Sequence, residues 1–446
     1  MSPALLPILR HAGAADAVCR SRVGIATAAQ LAADVASLAE RLPMANHVVN
    51  LCRDRYRFTV GLCAALKRGQ VTLLPMSAVP GPIASLARHY PTLYALHDQS
   101  AGPAGIRDFP YPTTLNVADC DAFGVVAEFP SQQCAVVLFT SGSTGEPQPH
   151  ARSWGALVAS ARAAATSLGL EGLASATILG TVAHQHSYGL ESIVMLALQQ
   201  GFAFHGAHPL LPADIVTALA MVEGPRILVT TPIHLRSLLY QKIELPALHR
   251  IVCATAPLAT ELAREAEARY GAPLYEIYGC TEVGQIATRR TVETDRWSCI
   301  DNMHLRESGG EVRADGPAAA SDAPLNDLIE LLEDGRFLLH GRKSDLVNIG
   351  GKRSSLPYLN FHLNAIEGVR DGVFVMPADG GGLTRLSAYV VAPGLSAQDV
   401  LTALRRVIDP AFLPRPLHIV EVLPRNALGK LSELALTQLR DAVTQR

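Results

Sequence analysis

Four short stretches of this sequence carry residue types that could do chemistry on a phosphorylated substrate. The first is Thr140-Ser141-Gly142-Ser143-Thr144-Gly145, small residues rich in hydroxyls and backbone N–H groups. Gly142 and Gly145 let the backbone approach a ligand closely, and successive N–H dipoles with neighbouring hydroxyls can surround phosphate oxygens. It is not a Walker loop, because Gly145 is followed by Glu146-Pro147-Gln148 instead of Lys and Ser or Thr. Nor does this turn contain the Gly-x-Ser-x-Gly of a hydrolase elbow. Alone, it also fits a plain surface turn. The other three stretches are Tyr278-Gly279-Cys280-Thr281-Glu282, Gly341-Arg342-Lys343-Ser344-Asp345 and Pro424-Arg425-Asn426-Ala427-Leu428-Gly429-Lys430. A carboxylate and a hydroxyl beside a polyphosphate are what a hard divalent cation requires. The same Thr281 and Glu282 would equally suit the first turn of a helix.

The elements that must position these groups alternate. A strand-like segment leads at Thr27, a candidate N-cap, into a helix with Leu31, Val35 and Leu38 on one face. Residues 47–51, 71–74, 135–139, 178–183, 225–231, 249–254 and 275–278 read as strands, several of them continuously apolar. Residues 58–66, 154–168, 192–198 and 233–240 read as helices. Strands alternating with helices predict a mostly parallel sheet covered on both faces. The Gly- and Pro-rich stretch 101–112 reads as irregular surface structure. Residues 301–322 read as a small β unit, and Asp334-Gly335 reads as the turn of a hairpin that begins near Asp327. Beyond residue 345 the pattern is that of a small α+β unit, with a Gly350-Gly351 loop, helices near 356–366 and 397–407, strands at 372–376, 385–391 and 418–422, and a last helix at 431–442.

With the four stretches in this order, the chain resembles the adenylate-forming superfamily: acyl- and aryl-CoA synthetases, the adenylation domains of peptide synthetases, and luciferases. The resemblance runs from the first loop to the C-terminus. It implies an α/β fold with a large N-terminal adenylation domain of layered sheets and helices, residues 1–341, and a small mobile α+β C-terminal domain, residues 342–446. It implies ATP and Mg2+ as cofactors. A carboxylate would attack the α-phosphorus, pyrophosphate would leave, and a thiol would then take the acyl group from AMP. Carried over residue by residue, the Thr140–Gly145 loop grips the pyrophosphate end, while Thr255 and Ala256 form a small-residue turn against the adenine. Tyr278 and Gly279 face the adenine, Thr281 meets the α-phosphate and Glu282 holds the metal. Asp327 accepts from the ribose hydroxyls and Arg342 also contacts the ribose. Ser344 stands at the hinge, Gly350 and Gly351 line the pantetheine tunnel, and Lys430 is the catalytic cation. His186, Tyr188 and Ala254 fall at the acid pocket. His184 and His186 could also be metal ligands, although no partner residue stands at a ligand spacing.

Three residues depart from the family pattern: Gln148 for a loop Lys, Ser344 at the hinge, and Asn348 for a frequent Lys. The chain is short for the family. Its run from Gly341 to Leu356 resembles the short ligases of aryl-polyene and xanthomonadin pigment pathways, which implies a hydroxybenzoate as substrate and an acyl carrier protein as acceptor. The alternatives are an aryl- or acyl-CoA ligase using free CoA and, from another class, a non-catalytic nucleotide or acyl binder.

Composition bounds these readings. With 446 residues, 49% apolar, the chain can bury a large core. A net charge of −2 from 38 basic and 40 acidic residues argues against nucleic acid or an anionic membrane surface as partner. Eight scattered cysteines without a C-x-x-C pair give no zinc site and no disulfide framework. A first segment with early prolines and no basic region does not read as a signal peptide, and a cytoplasmic location is expected.

Overall fold

The apolar runs become the middles of two sheets. This computed structural model describes residues 4–75, 80–115, 127–141, 147–317, 322–342, 346–349, 352–376, 385–425, 431 and 433–444. One sheet has six strands in the order Pro147–Ser153, Cys134–Ser141, Val71–Leu74, His47–Asn50, Tyr94–His97 and Arg107–Pro110, parallel except for the first. The other has nine. Its parallel centre runs Leu274–Cys280, Arg250–Cys253, Arg226–Thr230, Thr177–Gly180, Ala203–His205 and Ala17–Ser21, with antiparallel strands at both edges.

Alternate residues of these strands enter different cores. Val136 and Leu138 join Ile178, Ile227, Val229 and Val252 in a core between the two sheets, where the helices Ala28–Arg41, Arg55–Lys67 and Trp154–Ser167 also pack. Val137 and Phe139 face the outer side of the six-stranded sheet. Leu179, Leu228 and Ile251 face the outer side of the nine-stranded sheet, against Pro212–Ala220, Pro232–Tyr240 and Thr260–Tyr270. A strand buried on both faces has no polar side to alternate, so its sequence is continuously apolar. Thr27 caps its helix as expected, its side chain accepting from the Gln30 N–H.

Smaller units follow. A three-stranded sheet spans His304–Ser308, Glu311–Asp315 and Ala323–Pro324; the Asp327–Leu331 and Phe337–Arg342 strands form the expected hairpin, with Gly335 at φ +80° in its turn. Beyond it come the hairpin Leu346–Ile349 with Lys352–Ser355, the helix Leu356–Asn364, and a sheet of Asp371–Val375, Ser387–Val391 and Leu417–Ile419 with its own cores. Among the described residues no helix is long and apolar enough to cross a membrane.

Three expectations change. Arg107–Pro110 is a strand, at the sheet edge, where a proline costs no ladder bond to a further neighbour. Pro147–Ser153 is an edge strand as well, so the Thr140–Gly145 loop lies between two antiparallel strands instead of between strand and helix. Prolines at 147 and 149, on alternate positions, spare the N–H groups of 148 and 150 for pairing. The helix expected at 192–198 contains a π-helical stretch, Leu190–Met195.

A buried cation closes the sheet from within. Arg55 is wholly buried and donates to the carbonyls of Gly180 at 3.2 Å, Val182 at 3.3 Å, Ala207 at 2.8 Å and His205. These lie at and just beyond the carboxyl ends of two neighbouring strands, where backbone oxygens need donors. Burial lowers the guanidinium to about 10. Burial first and Arg55 second hold three nearby imidazoles neutral, His184 at about 3 and His205 and His208 at about 4. Between pH 6.5 and those values the unfolded chain binds protons that the folded chain refuses, so stability is full above pH 6.5 and lost as pH falls. Urea midpoints should therefore drop between pH 7.5 and 5, and His184→Gln should flatten that drop; a midpoint independent of pH would contradict the assignment.

Candidate active site

The parallel neighbours Arg250–Cys253 and Leu274–Cys280 end at the same edge of the nine-stranded sheet, and each is followed by a turn singled out in the sequence. In the first turn Thr255 has φ +83°, a left-handed conformation that is strained for a β-branched residue. Its hydroxyl oxygen is buried without a hydrogen-bond partner among the described residues. Ala254 is buried beneath it and Ala256 is exposed. The turn is held from behind, because the Leu258 N–H donates to Glu276 Oε1 at 3.2 Å. The other Glu276 oxygen accepts from Arg289 Nε at 2.8 Å and from the Thr291 hydroxyl at 3.0 Å. Burial raises the Glu276 carboxyl, an effect that the Arg289 charge opposes.

The second turn is not the start of a helix. Thr281 and Glu282 lie in a tight reversal between Leu274–Cys280 and the antiparallel strand Gly284–Arg289, which fixes them at the tip of a hairpin. Glycine makes the reversal possible. A Cβ on Gly279 would meet the Gly284 carbonyl oxygen at 2.3 Å, and Gly284 has φ +97°. Burial and the nearby Glu282 carboxylate push the Cys280 thiol well up, so it is no nucleophile.

Asp327 reaches this edge through Tyr278, whose hydroxyl donates to Asp327 Oδ2 at 2.7 Å. The tyrosine ring is 7% exposed, with the rings of Trp297 and Phe337 each 5.8 Å away and edge-on. Its visible role is to brace Asp327. Asp327 and Arg342 are directly opposite in the hairpin, so the two candidate ribose residues share one register position.

Sequence reasoning missed a buried polar group beneath this edge. Glu191, in the π-helical stretch, accepts from the hydroxyls of Ser160 and Ser187, each at 2.6 Å, and lies 3.9 Å from the guanidinium of Arg152. Arg152 belongs to the strand that returns from the Thr140–Gly145 loop, and a Cβ on Gly284 would strike its guanidinium at 2.4 Å. One charge pair thus ties the first loop's hairpin to the Thr281–Glu282 hairpin. Nothing local in the sequence marks such a pair, whose members are far apart in the chain.

At the loop itself, Thr140 bonds His150 at 2.8 Å and stands opposite the exposed Gln148. Ser141 ends its strand. Gly142, Ser143, Thr144 and Gly145 lie outside the described residues, as do Ser344, Gly350, Gly351 and Lys430. The stems of the Lys430 segment are described. Arg425 bridges to Leu431 and makes a two-pronged ion pair with Asp371, at 2.7 and 2.8 Å. Nearby, Arg236 donates to Asn364 Oδ1 at 3.0 Å and to the Arg370 carbonyl at 3.3 Å, joining the Pro232–Tyr240 helix to the C-terminal sheet.

Of the acid-pocket candidates, Tyr188 points its hydroxyl at the carbonyls of Thr230 (3.1 Å) and Val252 (3.0 Å), and His186 is half-buried beside it. Among the described residues no group of three or more His, Cys, Asp or Glu is arranged to hold a metal ion. The residues fit a nucleotide. An orphaned buried hydroxyl at Thr255, a braced carboxylate at Asp327 and the Glu282 carboxylate at the hairpin tip match a base, a ribose and a phosphate-bound cation.

Residues 96–303 match the model of a family described as AMP-binding enzyme. The chain is 31% identical over 323 residues to a 4-coumarate–CoA ligase of Halorhodospira halophila, spanning 70% of this chain and 78% of that protein. It is 28% identical over 385 residues to a 4-coumarate–CoA ligase of Rhodobacter capsulatus, spanning 82% and 96%. It superposes on ATP-bound MatB from Rhodopseudomonas palustris with a TM-score of 0.79 at 17% identity, over 97% of both chains, so the two share the α/β fold. The chain belongs to the AMP-binding enzyme family and is an adenylate-forming acid–thiol ligase.

Proposed function

We propose that this enzyme uses ATP to activate an aromatic carboxylic acid, a hydroxybenzoate, and passes the acyl group to the pantetheine thiol of an acyl carrier protein. The observation that carries the nucleotide half is Thr255, a strained residue whose buried hydroxyl has no partner among the described residues and whose turn stands beside Tyr278 and Asp327. Strain of this kind persists only where the surroundings over-determine it.

In this reading Asp327 accepts from the ribose hydroxyls while Tyr278 fixes its orientation, and Arg342 adds a second ribose contact. Thr281 meets the α-phosphate, and the Thr140–Gly145 loop grips the pyrophosphate end. A divalent cation, Mg2+, held by Glu282 would supply charge neutralisation on the phosphates. The acid is already ionised at neutral pH, so the chemistry calls for alignment and charge stabilisation more than for a base. Lys430 supplies that positive charge, and the Arg425–Asp371 pair anchors the stem of its segment. Residues 1–341 and 342–446 act as two domains hinged near Ser344. Movement about that hinge withdraws Lys430 and brings Gly350 and Gly351 to the pantetheine path.

The pigment-ligase resemblance of Gly341–Leu356 supports the carrier-protein acceptor. Free CoA is the second reading, and the 4-coumarate–CoA ligases among the relatives favour it.

Pyrophosphate release with ATP and Mg2+, without a thiol, should occur with one or a few aryl acids from a panel of benzoates, hydroxybenzoates, cinnamates and straight-chain acids. Release confined to straight-chain acids would refute the aryl reading. Lys430→Ala should lower the release rate by about 100-fold or more while leaving ATP affinity unchanged. Tyr278→Phe should weaken ATP binding about tenfold, about 1.4 kcal/mol, with the melting temperature nearly unchanged; equal ATP affinity would remove the Tyr278–Asp327 bond from the nucleotide site.

A further inference from the structure

The nine-stranded sheet has a point where successive connections leave on opposite faces. After Thr177–Gly180 the chain turns into the helical stretch packed in the core between the sheets. After the adjacent parallel strand Arg226–Thr230 it turns into Pro232–Tyr240 on the outer face. Such a divergence opens a crevice beyond the carboxyl ends of the two strands, the place where open α/β sheets bind ligands.

Thr181 and Thr230 stand there, their hydroxyls 2.9 Å apart. Two imidazoles converge on Thr181. His234 Nδ1 lies 3.1 Å from its hydroxyl and 2.9 Å from that of Thr231, and His208 Nε2 lies 3.2 Å from its carbonyl oxygen. A carbonyl only accepts, so neutral His208 carries its hydrogen on Nε2 and presents the lone pair of Nδ1. His234 keeps Nε2 uncommitted. Both rings are partly exposed, and neither second nitrogen has a protein partner among the described residues. Tyr188, bonded to the Thr230 and Val252 carbonyls, links this crevice to the Thr255 turn one strand further on. Burial, aided by Arg55, holds His208 neutral at ordinary pH, which keeps Nδ1 an acceptor.

We infer that His208 and His234 read a hydroxyl on the ring of the acid, at the end remote from its carboxylate. A phenolic O–H can donate to His208 Nδ1 while its oxygen accepts from His234 Nε2–H. A second carboxylate would set its charge against the His208 lone pair, and an unsubstituted ring would leave both nitrogens unpaired. A site built to bond a substrate hydroxyl rejects the analogue that lacks it. This inference rests on the aryl-acid reading above and names the feature that selects among aryl acids.

The test is steady-state pyrophosphate release by the full-length enzyme with matched acids: 4-hydroxybenzoate against benzoate, and 4-coumarate against cinnamate. The wild type should prefer the hydroxylated member of its better pair by at least about tenfold in kcat/KM. His208→Phe and His234→Leu should each lower kcat/KM for that acid about 10- to 100-fold and leave its unsubstituted partner within about threefold. His208→Asn and His234→Gln, which keep a polar group, should recover part of the preference. Equal losses on both members of a pair would show a merely structural role, and an unchanged ratio would show no role; either overturns the inference. Release confined to straight-chain acids refutes the aryl reading and this inference with it, whereas release from aryl acids with no preference for the hydroxylated member, or with ratios unaltered in the variants, refutes the histidine pair alone.

Discussion

The candidate site depends on one hydrogen bond between elements that belong to different sheets. Thr255, Thr281 and Glu282 come together without special provision, because their strands are parallel neighbours ending at one edge. Asp327 and Arg342 do not, since their hairpin is a sheet of its own, tied outward through a backbone bridge between Phe337 and Trp297. Together with that bridge, the Tyr278 hydroxyl brings them in. It reaches out from the last of those strands to the Asp327 carboxylate, while Trp297 and Phe337 pack around its ring and fix its direction. A hydrogen bond to a charged acceptor in a largely buried setting is worth more than one at the surface.

The same edge is built on buried polar groups that are costly unless fully paired. Glu191 is offset by two hydroxyls and Arg152, Glu276 by Arg289, Thr291 and a backbone N–H, and Arg55 by four carbonyls. Each ties separate elements together, and removing a partner would strand a charge away from water. The π-helical stretch has a place in this scheme, since it carries the buried Glu191 against Arg152 and against the Gln285 N–H of the strand that begins at Gly284. Rigidity of this kind suits an enzyme whose catalysis is alignment and electrostatics, because it lowers the reorganisation left for the reaction.

What was legible in the sequence was whatever local chemistry determines. Val136–Phe139 and Ile227–Val229 are apolar at every position because both faces are buried. Thr27 caps a helix, and Asp334-Gly335 turns a hairpin; each is a short-range rule. The Pro147–Ser153 strand was hidden because its prolines argue against a strand until its edge position is known. The alternative of a helix start at Thr281 is excluded because Gly279 and Gly284 permit a strand reversal too tight for other residues, and that close approach is a property of the pair. Glu191 with Arg152, Glu276 with Arg289, and Asp371 with Arg425 were silent, being long-range partnerships with no fixed spacing. His208 and His234 were overlooked for a like reason, since only the strand order brings both to Thr181.

The central claim is that the nucleotide occupies the edge defined by Thr255, Tyr278 and Asp327. It is tested most directly by a crystal structure of the enzyme with 5′-O-[N-(4-hydroxybenzoyl)sulfamoyl]adenosine, a non-hydrolysable mimic of an aryl adenylate. The account predicts both ribose hydroxyls on the Asp327 carboxylate, the Tyr278–Asp327 bond retained, and the base against the Thr255–Ala256 turn. Adenosine bound elsewhere, with Asp327 making no contact to the ribose, would contradict it.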